Sequence, residues 1–166
     1  MKTGIFYGSS TGTTARIAKI LANKLNVSEK DVHDVSKALP SKVDDYDIII
    51  LGTPTYGNGE LQPSWYDFVS ALEVMNLKGK KIALFGLGDQ RMSETFCDGV
   101  GVLYDRLKTT GAEFIGAFNT FPYEFDKSKA VRVEGGGAIG LLLDEMNHRE
   151  ATERRINEWI ETLSIK

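Results

Sequence analysis

Asp47-Ile48-Ile49-Ile50-Leu51-Gly52 leaves the chain the fewest choices. It is apolar and β-branched, without the alternating polarity of a half-solvated strand, so it reads as a strand covered on both faces in the middle of a parallel sheet. Thr3–Tyr7 and Lys81–Leu87 read as strands of the same kind. Helical spacing fills the intervals. Residues 15–25 space Ile17, Ile20, Leu21 and Leu25 as one helix face. Pro63 starts a helix that presents Trp65, Phe68, Val69 and Leu72, and a third runs from about Phe96 to Thr110, where Gly111 stops it. A weak strand near residues 32–35 and a last core strand over 114–118 follow the same alternation. An apolar run at 138–143 precedes a final helix over 152–164 that turns Ile156, Trp159, Ile160 and Leu163 inward. Residues 119–137 lack a clear period and include a Gly triplet at 135–137. Strand–helix alternation with short loops predicts an α/β, doubly wound parallel sheet.

The 166 residues fit one domain, 1–166, with 42% hydrophobic and 26% charged residues as in an ordinary globular chain. A net charge of −3 gives no basic surface for nucleic acid. The N-terminus enters a strand directly, without a signal peptide, and no apolar run approaches a membrane span. The only cysteine is Cys97, and His33 and His148 lie far apart, so neither a disulfide nor a multi-cysteine metal site is expected. These readings bound the answer to a cytoplasmic, metal-free domain.

Three loops leave carboxyl ends of strands, where open α/β sheets bind ligands. The first, after Tyr7-Gly8, reads Ser9-Ser10-Thr11-Gly12-Thr13-Thr14 and carries five hydroxyls in six positions. One Ser or Thr would suffice for an ordinary helix cap. A strand turning on small residues into a helix aims backbone N–H groups and a partial positive charge at an anion, so the loop reads as a phosphate cradle without a lysine. Neither the G-x-x-x-x-G-K-[ST] lysine nor the G-x-G-x-x-G spacing is present. Arg16 reads as a solvated helix residue just past the cradle. The second loop, Thr53-Pro54-Thr55-Tyr56-Gly57-Asn58-Gly59-Glu60-Leu61-Gln62, sets an aromatic ring beside glycines and suits a flat ligand, although a tight turn would need the same glycines. The third runs from Gly88 to Thr95.

Together G-S-S-T-G-T-T, P-T-Y-G-N-G-E-L-Q and F-G-L-G-D-Q resemble the three FMN loops of the flavodoxins. The resemblance continues through F-C-D-G, Tyr123-Glu124-Phe125 with Ser128-Lys129-Ala130-Val131, Gly140-Leu141-Leu142-Leu143-Asp144-Glu145, and Thr152 with Arg155, Ile156 and Trp159. It covers essentially the whole chain, and the insertion at 119–137 is similar to that of the long-chain flavodoxins. The fold it implies is a flavodoxin-like three-layer sandwich with a five-stranded parallel sheet, order 2-1-3-4-5, and an insertion in the last strand. The function it implies is low-potential single-electron transfer by non-covalently bound FMN, shuttling between semiquinone and hydroquinone. The implied partners are reductase-type donors and low-potential acceptor enzymes that dock at an acidic flavin edge, and the implied state is a monomer.

In the resemblance Ser9, Ser10, Thr11, Gly12, Thr13 and Thr14 hold the phosphate. Pro54, Thr55, Tyr56, Gly57, Asn58 and Gly59 flank one flavin face and N5. Leu87, Gly88, Asp89, Met92, Thr95, Phe96 and Cys97 supply the other face and the pyrimidine edge, although Cys97 read by itself is a small buried helix residue. The Gly57 carbonyl is expected to turn toward N5 on one-electron reduction. Three departures stand out. Tyr56-Gly57 replaces the Trp-Asn of many long-chain members. The third loop is one residue shorter and lacks their tyrosine, leaving the thioether of Met92 nearest the stacking position. The acidic D-E-D-N of the family is Asp144-Glu145-Met146-Asn147. Glu60, Asp67, Asp89, Glu94, Asp98 and Asp144 are expected to cluster near the flavin, depress its second potential and steer a basic partner. An FMN-dependent NAD(P)H:quinone reductase is the alternative on the same fold. A phospho-receiver would need acids where the chain has Gly8-Ser9 and Gly52-Thr53.

Overall fold

The computed structural model describes residues 1–132 and 136–165; residues 133–135, within the insertion and its Gly triplet, and residue 166 lie outside the described residues. The three apolar runs form β1 (Thr3–Tyr7), β3 (Ile48–Thr53) and β6 (Lys81–Leu87), which pair in parallel, with β2 (Val32–Asp34) beside β1. Successive residues face opposite sides, and both sides are covered. Phe6, Ile49, Leu51, Ile82 and Leu84 pack under α2 (Trp65–Leu72) and α3 (Asp98–Leu107). Ile5, Ile48, Ile50, Ala83 and Phe85 pack under α1 (Thr13–Leu25) and α4 (Thr152–Leu163). Two-sided burial accounts for the absence of polar residues inside these strands.

The fifth sheet position, expected as one strand with an insertion, is made by two short strands. The strand Glu113–Ile115 (β7) pairs with Lys81–Ala83, and Leu141–Leu143 (β8) pairs with Phe85–Leu87, so the chain leaves the sheet between them. The expected strand over 114–118 therefore ends at Ile115. Gly116 adopts φ 86, and a Cβ there would fall 3.0 Å from the Trp159 indole nitrogen, which donates to the Gly116 carbonyl at 2.8 Å. Phe118 instead bridges Ala138 across the neck of the insertion. Helix starts also shift: α1 begins at Thr13, α2 at Trp65 after a Pro63-Ser64 turn, and α3 at Asp98.

Arg155 anchors the insertion. Its guanidinium, 1% exposed, donates to the Leu142 carbonyl from two nitrogens (3.2 and 3.1 Å), to Asn119 O (2.8 Å) and Oδ1 (3.1 Å), and to the Phe121 carbonyl. It also lies 4.7 Å from the Tyr123 ring centroid and 5.1 Å from that of Phe118. Burial raises the Tyr123 hydroxyl to a pKa of about 12 and pulls that of Arg155 down. Farther along, the insertion crosses α3 so closely that a Cβ on Gly101 would fall 2.4 Å from the Lys129 carbonyl oxygen.

Candidate functional site

The loops after β1, β3 and β6 leave adjacent strands at one edge, because those strands are neighbours in the sheet. Gly8 ties the first loop to the second. Its N–H donates to the Gly52 carbonyl at 3.1 Å, which also accepts the Trp65 indole N–H at 3.0 Å. A Cβ on Gly8 would fall 2.5 Å from Gln62 Oε1. The Gln62 amide in turn donates to Ser10 Oγ at 3.0 Å and accepts the Ser64 N–H at 3.1 Å.

Within the first loop Ser10, Thr11 and Gly12 are exposed, Ser9 and Thr13 half-buried, and Thr14 buried. Ser9 Oγ accepts the Gly12 N–H at 3.1 Å, which rounds the turn, and Gly12 at φ 94 leads into α1. No side chain caps this helix and its first turn holds no acidic residue. The leading N–H groups of a helix have no intrahelical acceptor, so the start of α1, ringed by hydroxyls, is chemically suited to an anion. Arg16 is exposed, as expected of a solvated helix residue, and its guanidinium is hydrogen-bonded to Glu145.

The second loop is a hairpin rather than an open loop. Strands β4 (Thr55–Tyr56) and β5 (Glu60–Leu61) pair antiparallel around Gly57 at φ 50 and Gly59 at φ 94. Pro54, Thr55 and Tyr56 are half-buried, and Gly57 and Asn58 are exposed. Gly59 is buried, with the Asp98 carboxylate 2.5 Å from where its Cβ would be. Thr55 Oγ1 accepts the Gly99 N–H at 3.1 Å, which docks the hairpin on the start of α3.

In the third loop Leu87 is buried, Gly88, Asp89 and Thr95 are half-buried, and Met92 is 51% exposed on the rim. Phe96 and Cys97 lie beneath the loop, both 0% exposed, and Cys97 is buried as its small apolar character led one to expect. Phe96 stacks on Phe125 of the insertion at 4.7 Å between ring centroids and meets the Tyr123 ring edge-on at 5.4 Å. That aromatic cluster draws Phe96 inward, and Cys97, at φ 52, follows with its thiol toward the Gly86 and Leu143 carbonyls. Burial pushes the Cys97 thiol well above its ordinary pKa.

The expected acidic cluster divides in the structure. Glu60, Asp67 and Glu94 are exposed. Asp89 pairs with Arg91 and accepts the Asn147 amide at 2.7 Å; chiefly the Arg91 contact holds its carboxyl at about 2. Asp98 and Asp144 are interior braces rather than surface charges. Asp98, 2% exposed, accepts the Lys129 N–H at 2.7 Å, and burial raises its pKa. Asp144, fully buried, accepts the N–H groups of Gln90 (2.9 Å), Met146 (3.0 Å) and Asn147 (2.9 Å), tying the third loop to the segment after β8. The only advance sign of this role was the run Asp144-Glu145-Met146-Asn147 directly after three leucines, an Asp placed to accept from the backbone two and three residues on.

Among the described residues, no three His, Cys, Asp or Glu are grouped to hold a metal ion, and no helix is long and apolar enough to cross a membrane. The edge thus offers an anion-suited helix start, an aromatic hairpin and a braced third loop. A family model described as flavodoxin matches residues 5–159. Flavodoxin 1 of Salmonella typhimurium is 40% identical over 165 residues, covering 99% of this chain and 93% of that protein. Flavodoxin 1 of Escherichia coli K12 is 40% identical, covering 98% and 92%. Among solved structures, the Fusobacterium nucleatum flavodoxin bound to flavin mononucleotide superposes with a TM-score of 0.86 at 34% identity, covering 98% of this chain and 97% of that one.

Proposed function

The chain belongs to the flavodoxin family, and from that premise we propose that it is a single-electron carrier that binds FMN non-covalently as one domain, 1–166. The uncapped, acid-free start of α1, set among five hydroxyls at the sheet edge that also carries Tyr56 and Leu87–Asp89, carries this reading. Ser9, Ser10, Thr11, Thr13 and Thr14, with the backbone N–H groups around Gly12, hold the phosphate. The hairpin through Pro54, Thr55, Tyr56, Gly57, Asn58 and Gly59 borders the ring on one side; Leu87, Gly88, Asp89, Met92 and Thr95 border it on the other. Phe96 and Cys97 support that third loop from below. Bound FMN supplies the redox chemistry, taking up and releasing electrons one at a time. The protein binds, orients and sets the surrounding charge: Trp65 and Gln62 fix the first loop on the second, while Asp144 fixes the third.

The carrier works in the cytoplasm as a monomer. It exchanges electrons with reductase-type donors and low-potential acceptor proteins, and the exposed Glu60, Asp67 and Glu94 favour a basic partner face. Apoprotein titrated with FMN is expected to bind one equivalent and become yellow, with no steady turnover of NADPH when a quinone is supplied. Failure to take up FMN would refute the reading, and sustained quinone reduction would make the protein an enzyme instead.

A further inference from the structure

Arg16 is the cation nearest the phosphate cradle along the chain. It lies in the first turn of α1, with its N–H on the Gly12 carbonyl at 3.0 Å. A helical side chain lies over the turn N-terminal to its own Cα, which puts the arginine stem on the cradle side of the helix. A guanidinium clamps phosphate well through paired N–H donors. Yet this guanidinium donates to Glu145 Oε1, on the segment that follows β8.

The acid is the fixed member of the pair. The Glu145 side chain is 10% exposed and that of Arg16 is 44% exposed. Thr152 Oγ1, at the start of α4, donates to Glu145 Oε2, and Arg149 Nε lies 3.9 Å from Oε1. A cavity of about 290 Å³, lined in part by Ile20 and Ile156, opens beside the pair on the side away from the cradle. Lys24, the next cation on this side of α1, is 3.7 Å from Glu153 and lies two turns farther from the cradle.

We propose that Glu145 withholds Arg16 from the cradle, so that the phosphate is held by backbone dipoles and hydroxyls without a neutralising cation. The inference rests on the FMN reading and goes beyond it by assigning a charge-setting role to a pair outside the three loops. An unneutralised phosphate makes addition of the second electron to the flavin harder, so the pair acts on potential as well as affinity. Glu145 is therefore a positioning residue that acts through Arg16.

The test compares FMN with riboflavin, which lacks the phosphate, as ligands of wild-type, Arg16→Gln, Glu145→Gln and doubly substituted apoprotein. Arg16→Gln is expected to leave the FMN dissociation constant within about twofold of wild type. Glu145→Gln keeps an acceptor for Thr152 and frees Arg16; it is expected to tighten FMN by about tenfold, the scale of one charge-assisted hydrogen bond. Riboflavin affinity should stay constant, and the second potential of the FMN complex should rise. The double variant should return to wild type. Riboflavin binding also reports that each variant is folded, and Glu145→Ala frees Arg16 by a second route. The inference is overturned by a gain that persists in the double variant, by an absent gain in both Glu145 variants, or by a tenfold loss in Arg16→Gln. Wild-type protein that binds neither ligand would refute the FMN reading itself, whereas tight wild-type binding without this variant pattern refutes only the role of the pair.

Discussion

Replacing Arg155 with Met keeps most of the aliphatic stem and removes every donor that the guanidinium gives to the neck of the insertion. Three backbone carbonyls, those of Asn119, Phe121 and Leu142, lose a charged donor. Asn119 and Phe121 are exposed residues, so water can replace the donor there. Leu142 is fully buried in β8 and its carbonyl has no such substitute. An orphaned buried acceptor costs about 1–3 kcal/mol, and loss of the cation over the Tyr123 and Phe118 rings about 1 kcal/mol more. Relief from burying a charge offsets part of this, leaving an expected net loss of about 2–3 kcal/mol. For a chain of this size each kcal/mol lowers Tm by about 2–4 °C, so Tm should fall by roughly 5–10 °C. Urea unfolding of the apoprotein measures the free energy. Amide exchange at Phe118 and Ile139, whose N–H groups bond the Ala138 and Ala130 carbonyls, shows whether the neck is where stability is lost. Arg155→Lys should fall between the two, since it keeps the charge without the planar fork. A Met variant within about 0.5 kcal/mol of wild type, with unchanged exchange at both amides, would refute the anchoring role.

Two further outcomes follow from particular groups. Gly57 stands at φ 50, a region glycine enters without a Cβ penalty. The expected turn of its carbonyl toward N5 would add a hydrogen bond of ~1 kcal/mol, about 40 mV for one electron. Gly57→Ala, which hinders the turn, should therefore lower the first one-electron potential and the yield of the one-electron-reduced flavin, and an unchanged redox titration would dismiss the role of this turn. His33 bonds the Tyr46 hydroxyl at 2.6 Å, and burial, then Lys42, holds its folded pKa below the ordinary value. The folded state thus resists protonation, and stability is full above the ordinary histidine pKa and falls as pH drops through it toward the folded value. Urea midpoints measured from neutral to mildly acid pH should fall more steeply in wild type than in His33→Gln, and parallel slopes would contradict this.

The sheet centre was legible because its physics is local in sequence. Ile48–Leu51 and Ile82–Phe85 are apolar at every position, and only a doubly covered strand tolerates that. The edges were less legible because tertiary contacts decide them. Gly116 ends β7 where Trp159 takes up its carbonyl, and Phe96 leaves the expected helix to join an aromatic cluster supplied by the insertion. The hairpin at 55–61 was hidden by glycines that read equally as a loop. Charged residues misled most. A sequence reading places Asp98 and Asp144 among surface charges, yet each is buried and bonded to backbone groups supplied by a distant segment, and Arg155 is buried in the same way. Arg16 shows the same limit, since its partner Glu145 follows the insertion and nothing near Arg16 in sequence announces it.

Potentiometric titration of the FMN-loaded protein reads its one-electron chemistry step by step. Flavin absorption is followed while the potential is lowered stepwise at neutral pH. Two well-separated one-electron steps are expected, with the second at low potential because the phosphate stays unneutralised among exposed acids. A single two-electron step, or release of the flavin before any one-electron step develops, would contradict it.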